Sequence, residues 1–281
     1  MRYWVCRAAP GTVGTMHAYR TGFVALAALA ALAACGGATP SAPEAALPAS
    51  PSDSPEPTEQ AGQALAGKIV VIDPGHNGGN AAHPKEINRQ VDIITGRKAC
   101  NTTGTETDAG YPEHAFTWDV ARRLRPILEK MGAKVVFTRP NDKGVGPCVT
   151  ERAAIGNEAR ADAVLSIHGD GAAPGGHGFH VIMPGPVEGH NDAIIKPSRR
   201  LGVAVRNAYH AGTGLPYSTY TGTDGLQTRT DLGGLNLSTR PAVFIECGNM
   251  RNRGDAAKMS DPAFRERMAK ALAGGLTKYL S

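Results

Sequence analysis

The 281-residue sequence lacks the compositional marks of several large protein classes. Five cysteines are too few for a miniprotein built on a disulfide framework, although they leave room for one or two bridges. A charged fraction of 20% is too low for a fully disordered chain, and an apolar fraction of 41% is too low for a membrane protein with several spans. The length suits one large domain with tails, or at most two small domains.

An excess of basic residues is also missing from most of the chain. The formal net charge is +5, but Arg2, Arg7 and Arg20 all precede the first acidic residue, and the rest of the chain is nearly neutral. A nearly neutral body lacks the basic surface on which nucleic-acid binding depends. The sequence therefore predicts no nucleic-acid partner.

Two common hydrolase motifs are absent as well. No G-x-S-x-G sequence occurs, which argues against a serine hydrolase with a nucleophile elbow. No H-E-x-x-H sequence occurs, which excludes the helical zinc motif of many metalloproteases.

The N-terminus has the pattern of an export signal. The apolar run Phe23–Ala34 would extend roughly 18 Å as a helix, which is short of the ~30 Å hydrocarbon core of a bilayer. The run ends in Leu-Ala-Ala-Cys, which resembles a bacterial lipobox with Cys35 as the acylated residue. We therefore expect residues 1–35 to be a signal peptide with lipidation at Cys35. The alternative is an ordinary signal peptide with an incidental Cys35.

Residues 36–66 are rich in Pro, Ser, Ala and Glu and have no hydrophobic periodicity, so we expect a disordered linker. The globular domain is then expected to span residues 67–281. The protein is expected outside the cytoplasm, in the cell envelope or periplasm, either held by a lipid or secreted. Contact with a membrane is expected only through that lipid, and nothing in the sequence predicts an oligomer, so a monomer is expected.

Within the domain, buried apolar strands alternate with amphipathic helices. This alternation predicts an α/β fold, a single domain with a mixed, mostly parallel sheet flanked by helices on both faces. In such sheets ligands bind beyond the carboxyl ends of the strands. The predicted strands are 68–73, 133–138, 163–167, 179–183 and 241–245, and the predicted helices are 112–130, 151–160, 197–211 and 262–280.

Chemistry-bearing side chains follow three of these strands. His76, His168 and Glu246 stand at strand ends, and Glu113 begins the first long helix. Two imidazoles and a carboxylate suit Zn²⁺ with a fourth position left for water, and a further free carboxylate such as Glu246 would transfer protons. Taken singly, each residue has a simpler explanation, such as a surface histidine, a paired structural acid, or a carboxylate that complements the helix dipole.

Several segments, in this order, resemble the zinc-dependent N-acetylmuramoyl-L-alanine amidase family of bacterial cell-wall hydrolases. They are IDPGH at 72–76, EHAFTWDVARRL from 113, VVFTRPND at 135–142, ERAAIGNEARAD at 151–162, LSIHGD at 165–170 and PAVFIECGNMRN at 241–252. The sequence departs from the usual family pattern at Gly169-Asp170 and after Glu246.

The resemblance implies that His76, Glu113 and His168 are zinc ligands and that Glu246 is the catalytic glutamate. The implied reaction is hydrolysis of the amide between N-acetylmuramic acid and the L-alanine of the stem peptide, with peptidoglycan or muropeptides as substrate. Two alternatives stay open: a non-catalytic peptidoglycan-binding lipoprotein, and another zinc peptidase such as a carboxypeptidase. The second alternative would use the H-x-x-E pair formed by His83 and Glu86.

Further residues are expected to support the site. Arg139, Arg152 and Arg229 are candidates to bind stem-peptide carboxylates, and surface ion pairs are the alternative. Asp73 is expected either to accept a hydrogen bond from His76 or to cap the turn before Pro74.

The cysteines of the domain fit an exported protein. Cys100 and Cys148 both lie in loops, and we expect a disulfide between them that closes a loop of about 49 residues. Cys247 follows Glu246 within a buried strand, so we expect a packed free thiol that points away from the metal.

Overall fold

The computed structural model describes residues 63–281. The expected signal peptide, the lipidation site Cys35 and the linker up to residue 62 lie outside the described residues. Leu65 is already part of the folded body, because its side chain is fully buried and its N–H donates to the Met131 carbonyl. Apolar packing therefore includes residue 65, just before the expected start of the domain at 67.

A six-stranded sheet forms the centre of the molecule. Its strands are β1 Ile69–Pro74, β4 Lys134–Phe137, β5 Ala163–Asp170, β6 His180–Pro184, β7 Leu226–Arg229 and β8 Ala242–Asn249, and a separate hairpin pairs β2 Gln90–Asp92 with β3 Arg97–Ala99. The strand order in the sheet is β4-β1-β5-β8-β6-β7. Strands β1, β4, β5 and β8 run parallel, β6 is antiparallel to β8, and β7 is parallel to β6. The expected mixed, mostly parallel sheet is therefore confirmed.

Seven α-helices accompany the strands in residues 63–281. They are α1 Pro84–Ile87, α2 Glu113–Lys130, α3 Val149–Glu158, α4 Asp192–Thr213, α5 Gly233–Asn236, α6 Arg253–Ser260 and α7 Pro262–Leu280. Helix α4 begins five residues before its expected start at Pro197, which therefore lies inside the helix. In the turn that precedes the helix, Gly189 N–H donates a hydrogen bond to the Asp192 carboxylate. Strand β7 and helices α5 and α6 were not expected from the sequence.

The two faces of the sheet are covered unequally. The long helices α2, α4 and α7, with 18, 22 and 19 residues, pack against one face and bury the main core there. The short helices α3 and α5 lie over the other face, where a smaller cluster contains Ile182, Leu235 and Ala242. The thin cover of the second face leaves room for a cleft above the carboxyl ends of the strands.

Residues 75–112 form a long connection that crosses this cleft side of the molecule. It contains a 3-10 turn at Asn80–Ala82, helix α1 and the β2–β3 hairpin. A disulfide joins Cys100 in this connection to Cys148 just before α3. No helix among residues 63–281 combines the length and the apolar character that crossing a bilayer requires.

Candidate metal centre

The site is built where strands β1 and β5 end and helix α2 begins. The apolar run of β1 stops at Pro74, and the following Gly75 and His76 leave the sheet at its carboxyl edge. His168 lies within the carboxyl-terminal half of β5, and Glu113 occupies the first turn of α2. The fold therefore brings together three residues that are up to 92 positions apart in sequence.

Glu113 lies between the two imidazoles. Its Oε1 is 3.0 Å from His76 Nε2 and 2.9 Å from His168 Nδ1, and all three side chains are at most 12% exposed. The three donor atoms lie within 4.8 Å of one another, and in residues 63–281 they form the only such group of His, Cys, Asp or Glu side chains. Two imidazole nitrogens and one carboxylate oxygen at this spacing fit a catalytic Zn²⁺ site, which takes three protein ligands and keeps one position open.

The backbone and a threonine orient the His76 ring. His76 has φ 61°, a left-handed conformation that costs a non-glycine residue energy and is often retained at functional sites. Its Nδ1 is 3.2 Å from the Thr102 carbonyl oxygen and 3.1 Å from Thr102 Oγ1. A proton on Nδ1 donated to that carbonyl leaves the Nε2 lone pair free for a metal.

Stacking holds the His168 ring. The ring lies over Phe244 with 3.8 Å between centroids and 14° between planes. On its other side it comes so close to Gly75 that a Cβ there would lie 2.5 Å from His168 Nδ1. Burial lowers the pKa of His168, which favours the neutral imidazole that binds metals.

Glu113 is held as a carboxylate. Burial alone would raise the pKa of this carboxyl, but His76 and His168 lower it well below its usual range. Two backbone donors add to the effect, because Gly169 N–H donates to Oε1 and Thr105 N–H donates to Oε2. The carboxylate is therefore ready to bind a cation.

Glu246 is in the opposite situation. It pairs across the sheet with His168, lines the cleft, and its Oε2 is buried without a hydrogen-bond partner. Burial, and then the negative charges of Glu113 and Asp170, raise its pKa well above the usual range of a glutamate. A raised pKa makes this carboxyl a better proton donor than an ordinary glutamate.

Asp73 does not contact His76, so the expectation that it orients this ring is wrong. Its carboxylate accepts hydrogen bonds from Arg152, Thr138 and Ser166, each at 2.6 Å. Burial would raise its pKa, but these three partners lower it to about 2. The acceptor behind His76 is instead the Thr102 carbonyl, which lies in a loop with no sequence signal for this role.

Two of the three arginines expected to bind substrate are buried and used inside the protein. Arg139 donates to Asp142 and to carbonyls such as that of Pro74, and burial lowers its pKa to about 10. Arg152 donates to Asp73 and, at 2.8 Å, to the His76 carbonyl. Both guanidinium groups hold the turn that carries His76. Arg139 is fully buried and does not line the cleft, so the substrate-binding expectation is wrong for it, whereas Arg152 also lines the cleft and its role in binding substrate stays a prediction.

The third, Arg229, is nearer the surface. Its Nε and Nη2 form a two-point contact with both carboxylate oxygens of Asp231, at 2.8 and 2.7 Å. Its role in binding substrate stays a prediction.

Cys247, His83 and Glu86 lie outside the group of three donors. Cys247 is a free, buried thiol on the opposite face of β8 from Glu246, as alternation along the strand predicts. His83 and Glu86 are exposed on the surface and belong to no group of metal donors, with His83 Nδ1 bonded to the Gly79 carbonyl. The H-x-x-E pair of a carboxypeptidase is therefore not formed.

A cleft of about 490 Å³ opens beside the three donors, within the size range of small-molecule sites. His76, Glu113, His168 and Glu246 line one end of it. Its remaining walls come from α3, α5, the sheet and residues 98–105, and their exposed surface is mainly apolar, with Lys98, Arg152 and Asp231 among the charged exceptions. The apolar residues include Val149, Ala153, Val164, Leu232, Leu235 and Phe244.

The fold is shared with known proteins. Residues 70–278 match the model of the N-acetylmuramoyl-L-alanine amidase family. The chain is 43% identical over 220 residues to the N-acetylmuramoyl-L-alanine amidase Rv3717 of Mycobacterium tuberculosis, covering 77% of this chain and 88% of that one.

Two crystal structures of N-acetylmuramyl-L-alanine amidases named Ami1 are similar throughout. The enzyme from Mycobacterium smegmatis is 44% identical with a TM-score of 0.72, over 77% of this chain and 98% of that one. The apo enzyme from Mycobacterium abscessus is 46% identical with a TM-score of 0.73, over 77% and 100%. The present chain therefore belongs to the N-acetylmuramoyl-L-alanine amidase family, and its activity is that of a peptidoglycan amidase.

Proposed function

We propose that His76, Glu113 and His168 hold one Zn²⁺ ion and that Glu246 is the acid–base group of a zinc-dependent amidase. The bond that it cuts joins the lactyl group of N-acetylmuramic acid to the first L-alanine of the stem peptide. The convergence of three zinc-type donors within 4.8 Å, with Glu246 beside one of them, carries this proposal. The membership of the chain in the amidase family supports it.

The chain's own residues account for the proton transfers. When bound, Zn²⁺ supplies a lowered water pKa and polarisation of the amide carbonyl. Glu246 takes a proton from the attacking water as the new C–O bond forms. The C–N bond then breaks as Glu246 returns that proton to the departing alanine nitrogen. Its raised pKa suits this exchange, because a carboxyl with an ordinary pKa would be a poor proton donor at neutral pH.

The test combines metal analysis with digestion of purified muropeptides. We expect His76→Ala to lose zinc and activity, and Glu246→Gln to keep zinc while kcat falls by about 10²- to 10⁴-fold. His83→Ala is the matched control, since His83 lies outside the donor group, and it should keep both. Mass spectrometry of the wild-type digest should show free stem peptide and intact glycan.

Two results would contradict the proposal. Full zinc content in His76→Ala would remove His76 from the ligand set. Bound zinc without release of stem peptide by the wild-type protein would favour the binding module instead.

The place of the protein in the cell is proposed on similar grounds. Relatives described as probable cell wall amidases support an exported or envelope location. We further propose a lipid on Cys35 and a monomeric catalytic domain. Substituting Cys35→Ser should move the protein from the membrane fraction to the medium, and light scattering of residues 63–281 should give the mass of one chain.

A further inference from the structure

Three polar side chains form a row across the cleft face of the sheet. The register of β5, β8 and β6 pairs His168 with Glu246, and Glu246 with His180. Residues paired on neighbouring strands point to the same face, with Cβ atoms about 5 Å apart. His180 therefore flanks Glu246 on the side away from the metal donors.

Buried polar atoms without partners are concentrated at this end of the row. Five such side-chain atoms occur in residues 63–281, and three of them are His180 Nδ1, Tyr220 OH and Glu246 Oε2. Folded proteins leave few buried polar atoms unpaired, because each one costs desolvation free energy. Three at neighbouring positions indicate a shared hydrogen-bond partner rather than three separate defects.

His180 and Tyr220 pack against each other. His180 is 2% exposed, and the Tyr220 ring stands perpendicular to it with 6.0 Å between centroids. Burial lowers the pKa of His180 to about 4, with Asp170 opposing and Arg229 adding to the effect, and burial also raises the pKa of Tyr220. Both side chains are therefore uncharged hydrogen-bonding groups at neutral pH.

The two oxygens of Glu246 have different surroundings. Glu246 lines the cleft, but its Oε2 is buried. His180 pairs with Glu246 in the sheet and Tyr220 packs on His180, and the Asp170 carboxylate lies near enough to affect the pKa of all three side chains. Three polar groups are also the usual number of partners of one buried water.

We propose that His180 and Tyr220 are positioning residues, which hold the Glu246 carboxyl through one buried water on its Oε2 side. The other oxygen is then kept facing the cleft, where it exchanges protons with the substrate. This inference depends on the proposed role of Glu246. It assigns no contact with substrate to His180 or Tyr220.

The test uses His180→Phe, which keeps a ring of similar shape and removes both nitrogens. We expect kcat to fall about 10- to 100-fold, as for other residues that orient a catalytic group, while KM and zinc content stay unchanged. The thermal midpoint should not fall, because Nδ1 has no protein partner to lose. Tyr220→Phe should lower kcat in the same direction.

Replacement of His180 by Asn and by Gln distinguishes the roles of its two ring nitrogens. His180→Asn places a polar atom near the position of Nδ1 and should recover most of the loss, whereas His180→Gln mimics Nε2 and should not. His210→Phe is the control, since that histidine lies on α4 on the opposite face and its Nδ1 is bonded to the Leu215 carbonyl. Its activity should equal that of the wild type.

The outcomes distinguish this inference from the proposed function. Loss of activity in Glu246→Gln together with unchanged kcat in His180→Phe would overturn the positioning role alone. A fall in both kcat and thermal midpoint in His180→Phe, without recovery in His180→Asn, would show that His180 is only structural. Retained activity in Glu246→Gln would overturn the role of Glu246 itself.

Discussion

Two glutamates of the same site acquire opposite protonation tendencies from their surroundings. Both are buried, which by itself raises a carboxyl pKa. Glu113 gains two imidazoles and two backbone N–H donors, so its pKa falls. Glu246 gains no hydrogen bond at Oε2 and faces the charge of Glu113, so its pKa rises. The residue type is the same, and the neighbours decide which one suits a metal ligand and which one an acid–base group.

Gly75 is needed because His168 packs directly against its Cα. In Gly75→Ala the new Cβ would lie 2.5 Å from His168 Nδ1, so the ring must move away from Glu113. We expect zinc affinity to fall at least about tenfold while the fold is kept. A competition titration with a zinc chelator measures this. In Gly175→Ala the added Cβ meets no atom within 4 Å, so the affinity should not change; equal affinities in both variants would refute the steric argument.

Asp73 should make stability depend on pH in the acid range. Its pKa is lowered from 3.8 to about 2 in the folded protein, so its carboxylate stabilises the fold above about pH 4 and this contribution is lost as the pH falls toward 2. We expect Asp73→Asn to lower the free energy of unfolding by about 3 kcal/mol at pH 7, since Arg152 also loses its buried partner.

Urea unfolding of the wild type and of Asp73→Asn at several pH values tests this. The difference between the two proteins should be constant above pH 5 and should shrink below pH 4. A difference that does not change down to pH 2 would show that the charge of Asp73 does not contribute.

At the scale of elements, the connection between β1 and α2 completes the site. Its Thr102 carbonyl faces His76 Nδ1 and its Thr105 N–H donates to Glu113. Asn80 of the same connection donates to the Thr102 carbonyl, and the bridge from Cys100 to Cys148 ties the segment to the start of α3. An irregular segment thus holds two of the three proposed metal donors in place, because hydrogen bonds and the disulfide fix it at several points.

Removal of this disulfide should lower the stability of the fold, and it should affect the chemistry of the site less. The bridge links residues 48 positions apart, for which chain-entropy arithmetic gives a contribution of about 4 kcal/mol as an upper value. We expect the double variant Cys100→Ser, Cys148→Ser to unfold at a lower urea concentration, and reductant to have the same effect on the wild type. Cys247→Ser controls for loss of a thiol, and an intact mass that reductant leaves unchanged would exclude the bridge.

At the scale of the whole molecule, unequal cover of the sheet creates the cleft. Helices α2, α4 and α7 seal one face with a continuous apolar core, whereas the short helices α3 and α5 cover the other incompletely. The donors lie at the carboxyl edge on the open face, so a large substrate can approach them without any displacement of the core. One face of the sheet thus stabilises the fold, and the opposite face gives substrate access to the site.

The main core begins before the expected domain boundary, at Leu65. This side chain is fully buried within the core, so Leu65→Ala should lower the free energy of unfolding by about 2–5 kcal/mol. A chain that starts at residue 67 should lose a similar amount relative to one that starts at residue 63. Leu280→Ala, at a partly buried position, should cost less. Equal stability of the two truncated chains by urea unfolding would contradict this role of Leu65.

The sequence by itself determined the main strands and the long helices, and its resemblance to the amidase family implied the four residues of the proposed site. Local patterns suffice for the elements, because apolar runs define β1, β5 and β8, and parallel strands bring their carboxyl ends, with His76, His168 and Glu246, to one edge. The first turn of an amphipathic helix likewise gives Glu113 a place at this edge.

Only the tertiary structure decided what surrounds those residues. Burial turned Arg139 and Arg152 into internal supports, gave Asp73 other partners than His76, and made a loop carbonyl the acceptor behind that ring. Strand β6 runs antiparallel to β8 and so places His180 beside Glu246. This pairing depends on the register between strands that are distant in sequence. Register and burial arise from contacts between distant segments, so no local pattern of residues encodes them.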